Sequence, residues 1–448
     1  MLALAVDIGT TSMKVGVFRE GEDAEPVQLK GFSESYPLNV RNGGTFCDID
    51  QRRWLEAFHH ACRQLADFLP EVDVVSLSGT TPGLSAMDRD GTATYPAIVM
   101  LDQRSRKQAV EIIQKVGMEK LLAETANAPV PGGCSLASIL WIRENEPDAF
   151  RRTACFGHSN TFFAAWLTGT FAIDPSSASL SGLYNTVKND LTWNSEIARA
   201  FDLDLGRLPE VIPSHGSVGR VKPDLAAELG LARRPIVVIG GNDAVLAAYD
   251  AGIREPGQAI NVNGTSEITL VCLPRCLPST HYNIRAHVLP GLWLTLYVMN
   301  AGGMAYQWFR RVLCSEMTED AFWSEFAPRA LQAWLSRSSD VRYVPFLMGC
   351  RYTLEPLRAE FKGLSDETGR EEMFAAMVRG LCEYQREHLD EVSRAVPLAD
   401  EVVITGGALS DTLVQAKRRW MRDCSYRWRE QSSLRGAARL GLKAAQGA

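Results

Sequence analysis

The sequence predicts an α/β chain built from two related halves. Two observations predict it. Short apolar strands alternate with helical stretches along all 448 residues, a length that suits two or three domains better than one core. A strand–Gly-Thr–strand unit also occurs twice, at Gly9-Thr10 in the first half and at Gly264-Thr265 in the second.

Taken in order, Leu2 to Val6 reads as a buried strand, Asp7-Ile8-Gly9-Thr10-Thr11-Ser12 as a tight polar turn, and Met13 to Phe18 as the returning strand. Asp50 to Leu69 carries a helical apolar rhythm through Trp54, Leu55, Phe58, Cys62 and Leu65, with Asp50 as its N-cap. Val72 to Leu77 is a strand ending at Ser78-Gly79-Thr80-Thr81-Pro82-Gly83, and Ala97 to Met100 is another, running into Leu101-Asp102-Gln103-Arg104. Helices follow around 106–123, 135–145 and 158–168, then a Ser-rich loop after Asp174. The second half opens with Pro235 to Ile239, then Gly240-Gly241-Asn242-Asp243 and a helix. Ala259 to Val262 leads into Asn263-Gly264-Thr265-Ser266, and Glu401 to Ile404 into Thr405-Gly406-Gly407-Ala408 and a helix near Asp411.

Composition narrows the function. With 46% hydrophobic and 22% charged residues the chain is globular. Its 47 Lys+Arg against 53 Asp+Glu argue against nucleic-acid or polybasic membrane partners and leave small ligands. Ten cysteines lack zinc spacing and read as reduced, mostly buried thiols. No apolar run suits a membrane helix, and the start reads as a strand and not a signal peptide, so the expected compartment is the cytoplasm. A homodimer stays open, since no heptad or apolar stripe marks an interface.

The glycine turns combine close backbone approach with hydroxyls and amide donors, the parts that hold phosphate oxygens. Asp7, at a strand end, suits hydrated Mg²⁺, which keeps waters between itself and the protein. No Gly-x4-Gly-Lys-Ser/Thr loop, Rossmann glycine motif, His-Glu-x-x-His or Gly-x-Ser-x-Gly is present. Asp243 follows two glycines at a strand end and begins a helix. By position alone it is equally an N-cap or a carboxylate projecting to a ligand.

The ordered set Asp7-Ile8-Gly9-Thr10-Thr11-Ser12-x-Lys14, Gly240-Gly241-Asn242-Asp243, Asn263-Gly264-Thr265-Ser266 and Thr405-Gly406-Gly407-Ala408 resembles the FGGY carbohydrate kinases over essentially the whole chain. Gly133 through Asn145 corresponds to the family's first signature, with Ser138 where a lysine is usual. Ala359 onward corresponds to the second, with Arg379 where an acidic residue is usual. The last helix, Ser432 to Ala438, also fits.

The resemblance implies two ribonuclease-H-like domains of the actin-like ATPase fold with an interdomain cleft, divided here at 1–238 (sugar side and first phosphate loop) and 239–448 (catalytic Asp and nucleotide side). It implies ATP-dependent phosphorylation of a sugar or polyol hydroxyl, with Asp243 as general base and Asp7 holding Mg²⁺. Thr10, Thr11, Ser12 and Lys14 would meet the β- and γ-phosphates, and Gly264 and Thr265 would cradle phosphate. Gly406, Gly407, Ala408 and Asp411 would lie by adenosine, and Gly303 and Gln307 near the nucleotide unless they serve helix packing.

The loop matching Thr80-Thr81-Pro82 usually reads Gln-Met-His in xylulokinases. The departure leaves a ketopentose or related polyol as the expected substrate, with ribulose, gluconate and deoxy-ketoses as alternatives. Thr80, Thr81 and Asp102 are candidate hydroxyl partners, although Asp102 could equally pair with Arg104. A catalytically degenerate sugar-sensing protein is the rival reading.

Overall fold

The structure is a computed structural model that describes every residue except 22–24, 354, 408–409 and 448. The chain divides into two compact units. One comprises Met1–Gly252, Pro274–Leu294 and Gln431–Ala448; the other comprises Ile253–Leu273 and Thr295–Glu430.

In the first unit the strand Leu2–Ile8 pairs antiparallel with Ser12–Glu20 and parallel with Val72–Gly79, which in turn lies parallel to Ile236–Asn242. Pro26–Ser35 and Ser217–Arg220 form the edges of this six-stranded sheet. Central strands covered on both faces read as continuous apolar runs, and Ala3, Leu4, Ala5, Val6, Val74, Val75, Val237 and Ile239 are all buried. The register is what positions the chemistry. Ile8 stands opposite Gly79, and Gly79 opposite Asn242, so three strands finish at one level. Asp7, Thr80 and Asp243 therefore arrive at the carboxyl ends of adjacent strands, the edge where open α/β sheets bind ligands.

A second, five-stranded sheet in this unit packs with the helix Ser135–Asn145 into a separate apolar core that includes Leu84, Ile98, Leu136 and Leu140. The helix expected over 106–123 is two, Arg106–Val116 and Met118–Thr125, because Gly117 at φ 88° breaks the ladder. The helix expected from Asp50 runs Arg52–Gln64, one residue later, with the Asp50 carboxylate still accepting the Arg52 amide.

The second unit repeats the arrangement. Its hairpin pairs Ala259–Asn263 with Glu267–Leu273. Glu401–Thr405 lies parallel to the first of these strands, and Ser425–Trp428 parallel to Glu401–Thr405. In these four strands the order is that of Leu2–Ile8, Ser12–Glu20, Val72–Gly79 and Ile236–Asn242 in the first unit, so the duplication read from the two Gly-Thr turns extends to the centres of the sheets.

The units divide differently from the 238/239 division expected from sequence. A cut there would fall inside the strand Ile236–Asn242. The last helix, Ser433–Gln446, lies in the second half of the sequence but belongs to the first unit. Its glycines explain the docking. A Cβ at Gly436 would lie 2.2 Å from the Leu246 carbonyl oxygen, and one at Gly441 would lie 2.7 Å from Ser76 Cβ. Only glycine admits those approaches. Arg435 and Arg439 then pair with the buried Asp250.

Candidate active site

The opening turn is tied tightly. Gly9 donates its amide to the Ser12 carbonyl at 2.9 Å, and Tyr36 closes the turn through its hydroxyl to the Gly9 carbonyl and its amide to the Thr11 carbonyl. Thr10 Oγ1 lies 3.1 Å from Thr80 Oγ1, joining this turn to the 78–83 loop. Thr11 is exposed, Ser12 is partly so, and Lys14 is exposed directly across the ladder from Asp7. Asp7 is buried, and each of its oxygens accepts a serine hydroxyl, from Ser78 and from Ser433, at 2.7 Å. Among the described residues no lysine or arginine pairs with it. A carboxylate held only by neutral hydroxyl donors fits a hydrated Mg²⁺, which needs few direct protein ligands. No cluster of three or more His, Cys, Asp or Glu that could cage a metal occurs among the described residues.

Asp243 is the first residue of the helix Asp243–Asp250, but it is not the cap. Asn242 is, with Oδ1 accepting the Val245 amide at 3.2 Å. Asp243 Oδ1 accepts from Asn242 Nδ2 at 2.8 Å and from the Ala244 amide at 2.7 Å. Oδ2 takes no hydrogen bond among the described residues. Burial, and next the negative charge of Asp7, push the carboxyl up to about 6, with Arg285 opposing. A carboxylate anchored by one oxygen, with the other free and its proton affinity raised towards neutrality, is equipped to accept a proton.

Thr80 and Thr81, expected to meet a sugar, are both buried. The Thr81 hydroxyl oxygen accepts from Asn242 Nδ2 at 3.0 Å and from Arg285 Nη1 at 2.7 Å. Its lone pairs are thus occupied by protein donors, and its role here is to link the loop to the Asp243 helix. Asp102 follows the second of its two readings. It is fully buried, pairs with Arg104, and accepts the Cys47 amide at 2.6 Å. Arg104 also pairs with buried Asp48 and lies 4.4 Å over the Phe46 ring, so Asp102 is committed to a closed scaffold network.

The second unit holds a pocket of 460 Å³ lined by Asn263, Gly264, Thr265, Gly303, Gln307, Trp323, Gly407, Ser410 and Leu413. Gly264, Thr265, Gly303, Gln307 and Gly407 are thereby brought to one pocket. Among the described residues, nothing lies within 4 Å of where a Cβ at Gly407 would project. Gly406 serves the backbone instead: its φ is 112°, and a Cβ would meet the Asn263 carbonyl oxygen at 2.0 Å. Gly303 likewise answers to packing, since a Cβ there would lie 2.7 Å from the Gly264 carbonyl oxygen. Asp411 is exposed and does not line the pocket; its neighbour Ser410 does, while capping the helix Asp411–Trp420. Ala408 lies outside the described residues.

Beneath the Gly264-Thr265 turn, Glu267 and Lys417 form a buried ion pair at 2.6 Å. Asn261 donates to Glu267, and Asn263 to Asn261.

Sequence reading missed Arg285, Ser433 and Trp323. Arg285 and Ser433 reach the Asp243 and Asp7 neighbourhood from segments remote in the chain, and no local pattern announces such contacts.

Residues 2–249 match the N-terminal domain, and residues 259–417 the C-terminal domain, of the FGGY family of carbohydrate kinases. The chain belongs to the FGGY family. It is 24% identical over 451 residues to the xylulose kinase of Staphylococcus xylosus, covering 99% of this chain and 91% of that one. Among solved structures, the xylulose kinase from Rhodospirillum rubrum superimposes with a TM-score of 0.90 at 21% identity, over 100% of this chain and 90% of that one. The gluconate kinase from Lactobacillus acidophilus does so with 0.88 at 19%, over 100% and 89%. The fold is accordingly the two-domain, actin-like ATPase fold of FGGY kinases, and the protein is an ATP-dependent sugar kinase with an alcohol acceptor. No helix among the described residues is long and apolar enough to cross a membrane.

Proposed function

We propose that this FGGY kinase transfers the γ-phosphate of ATP to a hydroxyl of a ketopentose or a related sugar or polyol, with Asp243 as general base. One observation carries the assignment of the base: Asn242 caps the helix, which leaves Asp243 Oδ2 free while Oδ1 is held. As the sugar oxygen bonds to the γ-phosphorus, its proton passes to Asp243 Oδ2, the freed pair on oxygen forms the new bond, and the bond from that phosphorus to the β–γ bridging oxygen breaks so that ADP leaves with its electron pair. The positive end of the helix Asp243–Asp250 favours an anion at that point.

Asp7 would hold Mg²⁺ through water, and the ion, when bound, would neutralise charge on the phosphates. Lys14, Thr10, Thr11 and Ser12 supply a cation and hydroxyls beside it, and phosphoryl transfer draws most of its rate from such placement. In the second unit the Gly264-Thr265 turn would cradle phosphate. Gly407 leaves room for the nucleoside, with Trp323 as an aromatic wall.

The similarity to the Staphylococcus xylosus xylulose kinase supports a ketopentose, while the Thr80-Thr81-Pro82 loop marks where specificity would depart from xylulose. An ADP-release assay over D-xylulose, ribulose, gluconate and deoxy-ketoses tests the reading. Turnover on one of them that falls by about 10²–10⁴-fold in Asp243→Ala is the expected result. Turnover untouched by that change removes Asp243 as the base, and silence across the panel favours a degenerate sugar sensor.

A further inference from the structure

Arg285 stands in the segment Pro274–Leu294, far from the first unit's other parts in sequence, yet its side chain is buried among them with 2% exposure. Nη1 donates to Thr81 Oγ1 at 2.7 Å and to the Ser176 carbonyl at 3.1 Å, and Nη2 donates to the Thr81 carbonyl at 2.7 Å. Both residues it grips also touch Asn242. Thr81 Oγ1 accepts from Asn242 Nδ2 at 3.0 Å, and Ser176 Oγ accepts the Asn242 amide at 2.9 Å.

The hydrogen count of Asn242 makes this a constraint. A carboxamide nitrogen has two hydrogens; one goes to Thr81 Oγ1 at 3.0 Å, shared with the Gly79 carbonyl at a longer 3.5 Å, and the other to Asp243 Oδ1 at 2.8 Å. Its oxygen takes the Val245 amide, so flipping the group would set donor against donor there and an oxygen against the Asp243 carboxylate. The orientation of Asn242 is therefore fixed from both sides, and Thr81 is fixed by Arg285.

We infer that Arg285 is a positioning residue for the transfer step: by gripping Thr81 and Ser176 it locks Asn242, and through Asn242 it fixes where the Asp243 carboxylate points. The inference rests on Asp243 being the base. The planar guanidinium is suited to the task because its forked donors reach both residues at once, which a lysine ammonium does less well. Its charge also acts on the same carboxyl. Asp7, from the opening strand, raises the Asp243 proton affinity and Arg285 lowers it. The other ionisable groups nearby are Asp174, bonded to Ser176, and His158, which Arg285 and burial hold neutral.

The test is a titration of the Asp243 carboxyl by ¹³C-aspartate NMR in the full-length protein, with Asp243→Asn to assign the signal. It is read alongside ADP release with MgATP over the sugar panel. In Arg285→Met the midpoint should move upward by about one pH unit, with turnover at pH 7 falling about tenfold and KM for ATP unchanged. Arg285→Lys should return the midpoint while recovering only part of the turnover. Thr81→Val keeps the side-chain shape and the Arg285 charge, and it decides the matter should Arg285→Met fail to fold. Its midpoint should also rise, because Asn242 loses the acceptor that holds its amide towards Asp243, and Thr81→Ser should restore it. An Asp243 midpoint unmoved in Arg285→Met, or in Thr81→Val if that is the variant that folds, overturns the inference. Turnover persisting in Asp243→Asn would instead overturn the base assignment, so the two failures are separate.

Discussion

Asn242 and Asp243 divide between them two tasks that a single residue cannot perform at once. Asn242 Oδ1 caps the helix on the Val245 amide while its Nδ2 holds Asp243 Oδ1 at 2.8 Å. Replacing Asn242 by alanine should cost about 1 kcal/mol of stability for the lost cap. It should also move the acid limb of the pH–rate profile upward, because the ionised Asp243 loses a donor. Urea unfolding and a pH–kcat/KM series measure the two effects on one variant.

The proton affinity of Asp243 has a stability signature. Folding raises its pKa from 3.8 to about 6, so between those values the folded state holds a proton that the unfolded state has released. Stability therefore falls as pH rises through that window. At pH 7 the ionised carboxyl destabilises the fold by on the order of 3 kcal/mol, less any solvent screening. Asp243→Asn should melt above the unaltered protein at pH 7 and lose that advantage near pH 4, while turnover is lost at every pH. Equal melting temperatures at pH 7 would contradict this account.

The adjacent glycines Gly406 and Gly407 should respond oppositely. Alanine at 406 meets the Asn263 carbonyl oxygen at 2.0 Å from a backbone at φ 112°, and such strain with overpacking costs about 1–3 kcal/mol. Alanine at 407 meets nothing within 4 Å among the described residues, so the fold should be indifferent. If the nucleoside occupies that space, KM for ATP should rise in Gly407→Ala alone. Thermal melts and ATP titrations of both variants check the contrast.

The Glu267–Lys417 pair is nearly solvent-free. Lys417→Met leaves a buried carboxylate unpaired and should destabilise by about 3–5 kcal/mol. Adding Glu267→Gln should recover much of that, since a neutral amide needs no counter-charge. A double variant no more stable than the single one would show that the pair is not what holds this region. Denaturant unfolding of the three chains decides.

Much of this was legible in the residues. The Gly-Thr turns announced the duplication because hairpin strands and their turn are contiguous, and the strand-end carboxylates Asp7 and Asp243 were visible from local pattern alone. Legibility stopped where long-range contacts decide. The pairing of Asp102 with its neighbour Arg104 was one of two local readings, but nothing near it says that Asp48 binds the same arginine, and nothing near Thr81 says that Arg285 and Asn242 take up its hydroxyl. Gly303 and Gly406 resemble ligand-contact glycines in sequence, but their missing side chains make room for backbone.

The glycine-faced helix Ser433–Gln446 sets the order in which this molecule can be finished on the ribosome. The helix that covers Ser76 on one face of the first unit's sheet, begun at Leu2, emerges only with residues 433–446, by which time the second unit has been synthesised whole. The second unit is thus a guest carried within its host's sequence, complete before the host receives the helix that closes its own core.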